Sequence, residues 1–251
     1  MAVLNSIQFE LRDVETQMSK EFGLKASGMK DLIQLQMDNL DQFLLPAICL
    51  AVARTAGPVN NTVIALSSVL QHLYLAQHIH SMVRDQEMTD SERQYPILVG
   101  DYVFGQSFLK MCEEDLFKYV SHFVTAIKKI NEGIVLRWRL KNQKMSVKDY
   151  KAVIEKEKAS LTVLAARLGA EGSNLKSHHF AKFEKLGYNI GMAWAASIEP
   201  QYSFLTQEYL SKTMANINDL QETFSVQPLQ ELYNFIRQES GTDVYLSSNI
   251  L

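Results

Sequence analysis

Glycine and proline are scarce in this 251-residue chain, at 11 and 5, so few positions interrupt a helix and few invite the tight turns of a β-rich fold. Cysteine occurs twice, at Cys49 and Cys112. Neither has metal-ligand spacing, and both fall in apolar helical surroundings, so reduced, buried thiols in a cytoplasmic protein are expected. No run approaches the roughly 20 uncharged apolar residues of a membrane span. Glu10, Asp13 and Glu15 occupy the region where a signal peptide would place a basic segment and an apolar core. Excess positive charge is missing too, the net charge being −3. The densest basic stretch (Arg137, Arg139, Lys141, Lys144, Lys148, Lys151) is broken by Trp138, Leu140, Met145 and Val147. It reads as a solvated helix face and the turn after it, with no support for nucleic-acid binding.

What is present is helix-forming. Apolar residues make up 47% and charged residues 21%, ordinary values for a domain large enough to bury a core without staples. Ile7, Leu11, Val14 and Met18 mark an amphipathic opening helix. A second helix is expected over about 29–39, and a third, apolar all round, over about 46–55 with Pro46 in its first turn. Ala56-Gly57-Pro58 stops it. Further helices are expected over about 60–86, 97–112 and 114–140, with a polar loop at 86–95. Ser146 with Asp149 forms a near capping box opening the next, which closes at Leu168-Gly169-Ala170-Glu171-Gly172. Helices near 175–197, 206–224 and 227–239 and a frayed tail over 241–251 follow. Strand-like alternation and fixed-period repeats are absent, so the chain reads as one all-α domain spanning 1–251, with roughly ten helices.

Several segments occur in an order that carries information. Gln77-His78-Ile79-His80-Ser81-Met82-Val83-Arg84-Asp85 closes the 60–86 helix, and a loop with Arg93 and Pro96 leads into Leu98-Val99-Gly100-Asp101-Tyr102. Pro46 precedes an Ala-Val-rich helix and Gly57. Tyr150 is followed by Ile154 to Leu161, and Gly187-Tyr188-Asn189-Ile190-Gly191-Met192-Ala193-Trp194 comes later. Together these resemble the trans-isoprenyl (polyprenyl) diphosphate synthases, over about residues 40–200. The resemblance implies an isoprenoid-synthase-like helical bundle.

The departures are as telling. The family carries His-Asp-Asp-x-x-Asp in its first aspartate-rich motif; here His80, Ser81, Met82 and Asp85 stand there, with Arg84 beside the remaining carboxylate. The family's Gly-Lys-x-x-Arg-Pro, which binds a homoallylic diphosphate, is replaced by Asp41-Gln42-Phe43-Leu44-Leu45-Pro46. The second aspartate motif is reduced to the segment holding Ser197 and Glu199. Prenyl elongation needs Mg²⁺, held by carboxylates on facing helices, to neutralise the departing pyrophosphate. A single carboxylate beside a cation is a poor substitute.

Other residues are candidates for roles. Lys158 matches the family's diphosphate-contacting lysine, although Ala159 replaces its threonine, and Arg93 falls in the family's basic loop; both are candidates for diphosphate contact. Ala76 and Gln77 occupy the place of bulky residues that stop chain growth in short-chain relatives. With Gly187 and Gly191 they are candidates for a prenyl-cavity wall, although small residues every four positions also permit close helix packing. His72, His78 and His80 do not share a helix face at about 100° per residue, so no metal site is expected from them. Asp101 reads as a backbone partner, and Glu113-Glu114-Asp115 as acids complementing a helix N-terminus.

The resemblance therefore implies the non-catalytic small subunit of a heterodimeric hexaprenyl or heptaprenyl diphosphate synthase, serving a menaquinone side chain. The partner would carry both aspartate motifs and the Mg²⁺ and bind the diphosphates; this chain, without a cofactor, would stabilise the partner and shape the cavity for the prenyl diphosphate chain. Two alternatives remain. One is a self-sufficient divergent prenyltransferase using Asp85, Lys158 and Glu199; the other is a prenyl-lipid-binding scaffold.

Overall fold

The computed structural model describes residues 4–21, 37–83 and 89–241, and their regular structure is entirely helical. After a short turn at Asn5–Ile7 come α1 (Gln8–Glu21), α2 (Asn39–Arg54), α3 (Asn61–Ser81), α4 (Asp90–Glu113) and α5 (Val120–Leu140). Next, α6 (Val147–Ile154) runs through a π-helical turn, Glu155–Ala159, into α7 (Ser160–Gly172) as one rod. α8 (Phe180–Ile198), α9 (Phe204–Gln221) and α10 (Gln227–Glu239) complete the bundle. The second helix expected over 29–39 and the tail beyond 241 lie outside the described residues, except that residues 37–38 are not helical.

α2 is the centre because it is apolar on every side: Leu44 to Ala53 are all buried, as a helix without a polar face must be. It packs on α1, α3, α7 and α10, while α8 lies between α7 and α9. α4 stands further out, packing chiefly on α3. There Leu75, Ala76 and Ile79 meet Val99 and Val103 in a small cluster of their own.

Two helices begin earlier than their prolines suggest. α2 starts at Asn39 because Asp38 accepts the Asp41 backbone N–H at 2.7 Å and Leu40, Leu44 and Leu45 are buried. Pro46 is therefore inside the helix, its missing N–H tolerated in the core. α4 starts at Asp90 because Thr89 and Glu92 close a reciprocal capping box, with Glu92 accepting from the Thr89 backbone N–H at 2.7 Å. Residues 90–95 are thus helix and not loop, and Pro96 is interior. The Ser146–Asp149 box forms with both limbs in place. Cys49 is buried, and burial pushes its thiol up to about 12, but Cys112 is exposed. Glu113 and Glu114 close α4 at its C-terminal end, where Lys110 pairs with Glu114 at 3.1 Å. They do not open the next helix.

Candidate functional site

The first degenerate motif falls at the end of α3. The His80 ring lies against Gly100, where a Cβ would overlap the imidazole. Its Nε2 is 3.2 Å from Asp101 and 3.4 Å from the Ile97 carbonyl oxygen. Gly100 thus lets α4 approach, and Asp101 fixes a side chain on α3. Ser81 Oγ donates to the His78 carbonyl at 2.6 Å, and Met82 caps the helix. Arg84 and Asp85 lie outside the described residues. Arg93 pairs with Asp90 on its own helix.

A second assembly lies deeper. The π-helical turn inserts one extra residue per turn, a feature frequent at functional sites, and carries Lys158. Lys158 Nζ donates to Tyr74 Oη at 3.0 Å and stands 4.1 Å from the centre of the Trp194 ring and 4.7 Å from that of Tyr74. Tyr74 in turn donates to Asp41, whose backbone carbonyl accepts from Gln71 at 2.8 Å. Burial pulls the Lys158 amine down to about 8, against the opposing charges of Asp41, Glu157 and Asp38; nearby Arg137 lowers it further. Burial, then the charge and hydrogen bond of Asp41, push the Tyr74 phenol well above its ordinary value. Trp194 is fully buried, and its indole N–H finds no acceptor among the described residues.

Small residues make this approach possible. Gly187 and Gly191 face the rod containing the turn: a Cβ at Gly187 would stand 2.5 Å from the Thr162 carbonyl oxygen, and one at Gly191 2.5 Å from the Ala159 Cα. Gly133 does the same for α5, facing Lys156 and Glu157. Ala76 is buried in the α3–α4 cluster, on a different side of α3 from Tyr74. Gln77 is half-buried, with no partner for its Oε1 among the described residues.

The second degenerate motif is bound up in an ion-pair network. Arg137 reaches Glu157 at 2.9 Å and Glu199 at 3.0 Å. Burial alone would lower its pKa, but the two carboxylates hold it above the ordinary range. Ser197 Oγ donates to the Trp194 carbonyl at 2.8 Å. The composition of this region suggests a solvated basic face; the structure instead draws Arg137 inward, because Glu157 and Glu199 converge on it.

Magnesium finds no ligand set among the described residues of these two motifs. Among the described residues no group of three His, Cys, Asp or Glu side chains is placed to hold a metal ion. Glu199 is engaged by a guanidinium, Ser81 points its hydroxyl at its own helix, and Met82 offers a hard cation no oxygen. The histidines are dispersed too: His72 is buried with Nδ1 2.8 Å from the Ser68 carbonyl oxygen, while His78 lies against Tyr74.

The outer surfaces of α4 and α5 are unusual for exposed helices. Leu98, Phe108 and Leu109 on α4, and Val124, Val135 and Trp138 on α5, are exposed large apolar side chains. At about 100° per residue each set falls on one face of its helix. Trp138 is 74% exposed and Leu98 66%, where a solvated helix would place charge.

Residues 52–197, more than half of the sequence, match the polyprenyl synthetase family model, and the chain belongs to that family. Among solved structures it is similar to a polyprenyl synthase from Caulobacter crescentus complexed with calcium and isoprenyl diphosphate (16% identity, 93% of this chain and 96% of that one, TM-score 0.75). It is also similar to a geranyl diphosphate synthase small subunit from Antirrhinum majus (14% identity, 94% and 99%, TM-score 0.73). A heterotetrameric geranyl pyrophosphate synthase from mint matches with 12% identity over 91% and 97%, TM-score 0.70. No curated protein matches significantly by sequence. Among the described residues no helix is long and apolar enough to cross a membrane.

Proposed function

We propose that this chain is the non-catalytic subunit of a heteromeric long-chain polyprenyl diphosphate synthase. The observation that carries the reading is the Arg137–Glu199 ion pair. The carboxylate left in the second motif is neutralised by the chain's own cation, within a helical frame otherwise kept. With Ser81 and Met82 in the first motif, little remains to draw off a departing pyrophosphate. In this reading the partner carries both aspartate-rich motifs, the Mg²⁺ and the prenyl diphosphate. This chain stabilises the partner and helps set product length, for a prenylated quinone. The apolar faces of α4 and α5 are where a helical partner would bury surface, and two relatives of similar fold are a named small subunit and a heterotetramer.

Mixing tests this. The purified chain should be inactive on allylic and homoallylic diphosphates with Mg²⁺, and should raise the activity or lengthen the product of a co-expressed synthase carrying both aspartate motifs. Turnover by the isolated chain would overturn the reading.

A further inference from the structure

We propose that Trp194, Tyr74 and Asp41 form a binding site for a primary ammonium group, and that its resident ligand is the chain's own Lys158. The Lys158 nitrogen lies within cation–π range of both rings, at 4.1 Å and 4.7 Å from their centres. Its hydrogen bond goes to the Tyr74 phenol at 3.0 Å, and the phenol in turn donates a hydrogen bond to Asp41. The negative charge thus sits one bond behind the aromatic wall, where it offsets part of the cost of burying the ammonium. Trp194 is fully buried while its indole N–H has no partner among the described residues. Burying that donor costs free energy, so the side chain contributes its ring face to the site and not a hydrogen bond.

Three features make this a site and not incidental packing. The π-helical turn sets Lys158 out of ordinary helical register. Gly191 brings α8 onto that turn, one helical turn before Trp194. Gln71 holds the Asp41 backbone in place. Asp38, Glu157 and Arg137 are the other charges felt by the amine. With its ligand covalently attached, the site is closed to external cations, metal ions included. No partner chain is involved, so the isolated protein suffices to test it, and failure here would leave the proposed subunit role untouched.

Truncating Lys158 to alanine removes Cγ, Cδ, Cε and Nζ, the atoms of n-propylammonium. Thermal unfolding of the wild-type chain, Lys158→Ala and Lys158→Met should be followed with n-propylammonium chloride, and with n-propanol and NaCl as controls. Lys158→Ala should unfold at lower temperature and recover saturably with n-propylammonium. The half-saturating concentration should be about tenfold below that of n-propanol, the worth of one cation–π contact. Wild type and Lys158→Met should show no such recovery. Equal responses to amine and alcohol, or equal responses of all three proteins, would overturn the proposal. Should Lys158→Ala fail to fold, proton–carbon NMR of the wild-type lysine ε-methylenes decides. One pair must be displaced upfield by the ring faces, and the absence of any displaced pair overturns the proposal.

Discussion

Arg137 on α5 stands between Glu157 on the π-helical turn and Glu199 just beyond α8, at 2.9 Å and 3.0 Å. Three segments distant in sequence are tied by one guanidinium, which a lysine could not match in geometry. Arg137→Ala should lower unfolding free energy by about 1–2 kcal/mol, a figure discounted because the side chain is 38% exposed. Arg137→Lys should recover less than half of the loss. Urea denaturation of the three proteins measures both effects, and a loss indistinguishable from zero would mean that the network is ornamental to stability.

The contact between His80 and Gly100 gives a second prediction. Gly100→Ala places a methyl group into the imidazole and should cost about 1–3 kcal/mol, as overpacking does. His80→Ala alone loses the Asp101 contact, but in combination with Gly100→Ala it removes the overlap. A double-mutant cycle should therefore show strong non-additivity, whereas additive losses would contradict the packing.

The pH dependence of stability follows from Lys158. Burial holds its folded amine down at about 8, below the ordinary lysine value of 10.5. Below about pH 8 both states are protonated and the folded state bears the whole cost of burying the charge. Between about pH 8 and pH 10 the folded chain sheds its proton while the unfolded chain keeps it, so stability rises with pH. Wild type should thus gain stability relative to Lys158→Met across that window. The raised Tyr74 phenol opposes the trend once pH passes about 10, where unfolded tyrosine ionises. Parallel stability curves for the two proteins would refute this origin.

The apolar faces of α4 and α5 predict a separation between folding and assembly. Trp138→Glu and Leu98→Glu alter exposed side chains, so the melting temperature of the isolated chain should barely move. Association with a catalytic chain should weaken at least about tenfold, as loss of an aromatic anchor does. Sedimentation of the mixed chains reads this directly; unchanged association would place the interface elsewhere.

Much of the fold was legible because helical period and punctuation are local. Ile7, Leu11 and Val14 repeat on one face and are buried, and Ser146 with Asp149 starts its helix as the pattern demands. Prolines misled at Pro46 and Pro96 for an equally physical reason. A proline disfavours a helix interior locally, yet capping by Asp38 and Thr89 and burial of the flanking face outweigh that cost.

The all-α chain, the order of its motifs and the replacement of carboxylates at Ser81 and Met82 are all readable from the residues alone. Spacing alone could not show that Arg137 neutralises Glu199, 62 residues away, or that Lys158 turns inward to Trp194 and Tyr74. Nor could it show which rod these glycines pack against: Gly187 meets Thr162 and Ala166 on α7, and Gly191 meets Ala159 on the π-helical turn. Charge pairing and cation–π contact depend on distances of a few ångströms between helices. Those distances exist only once the small residues have let the helices close.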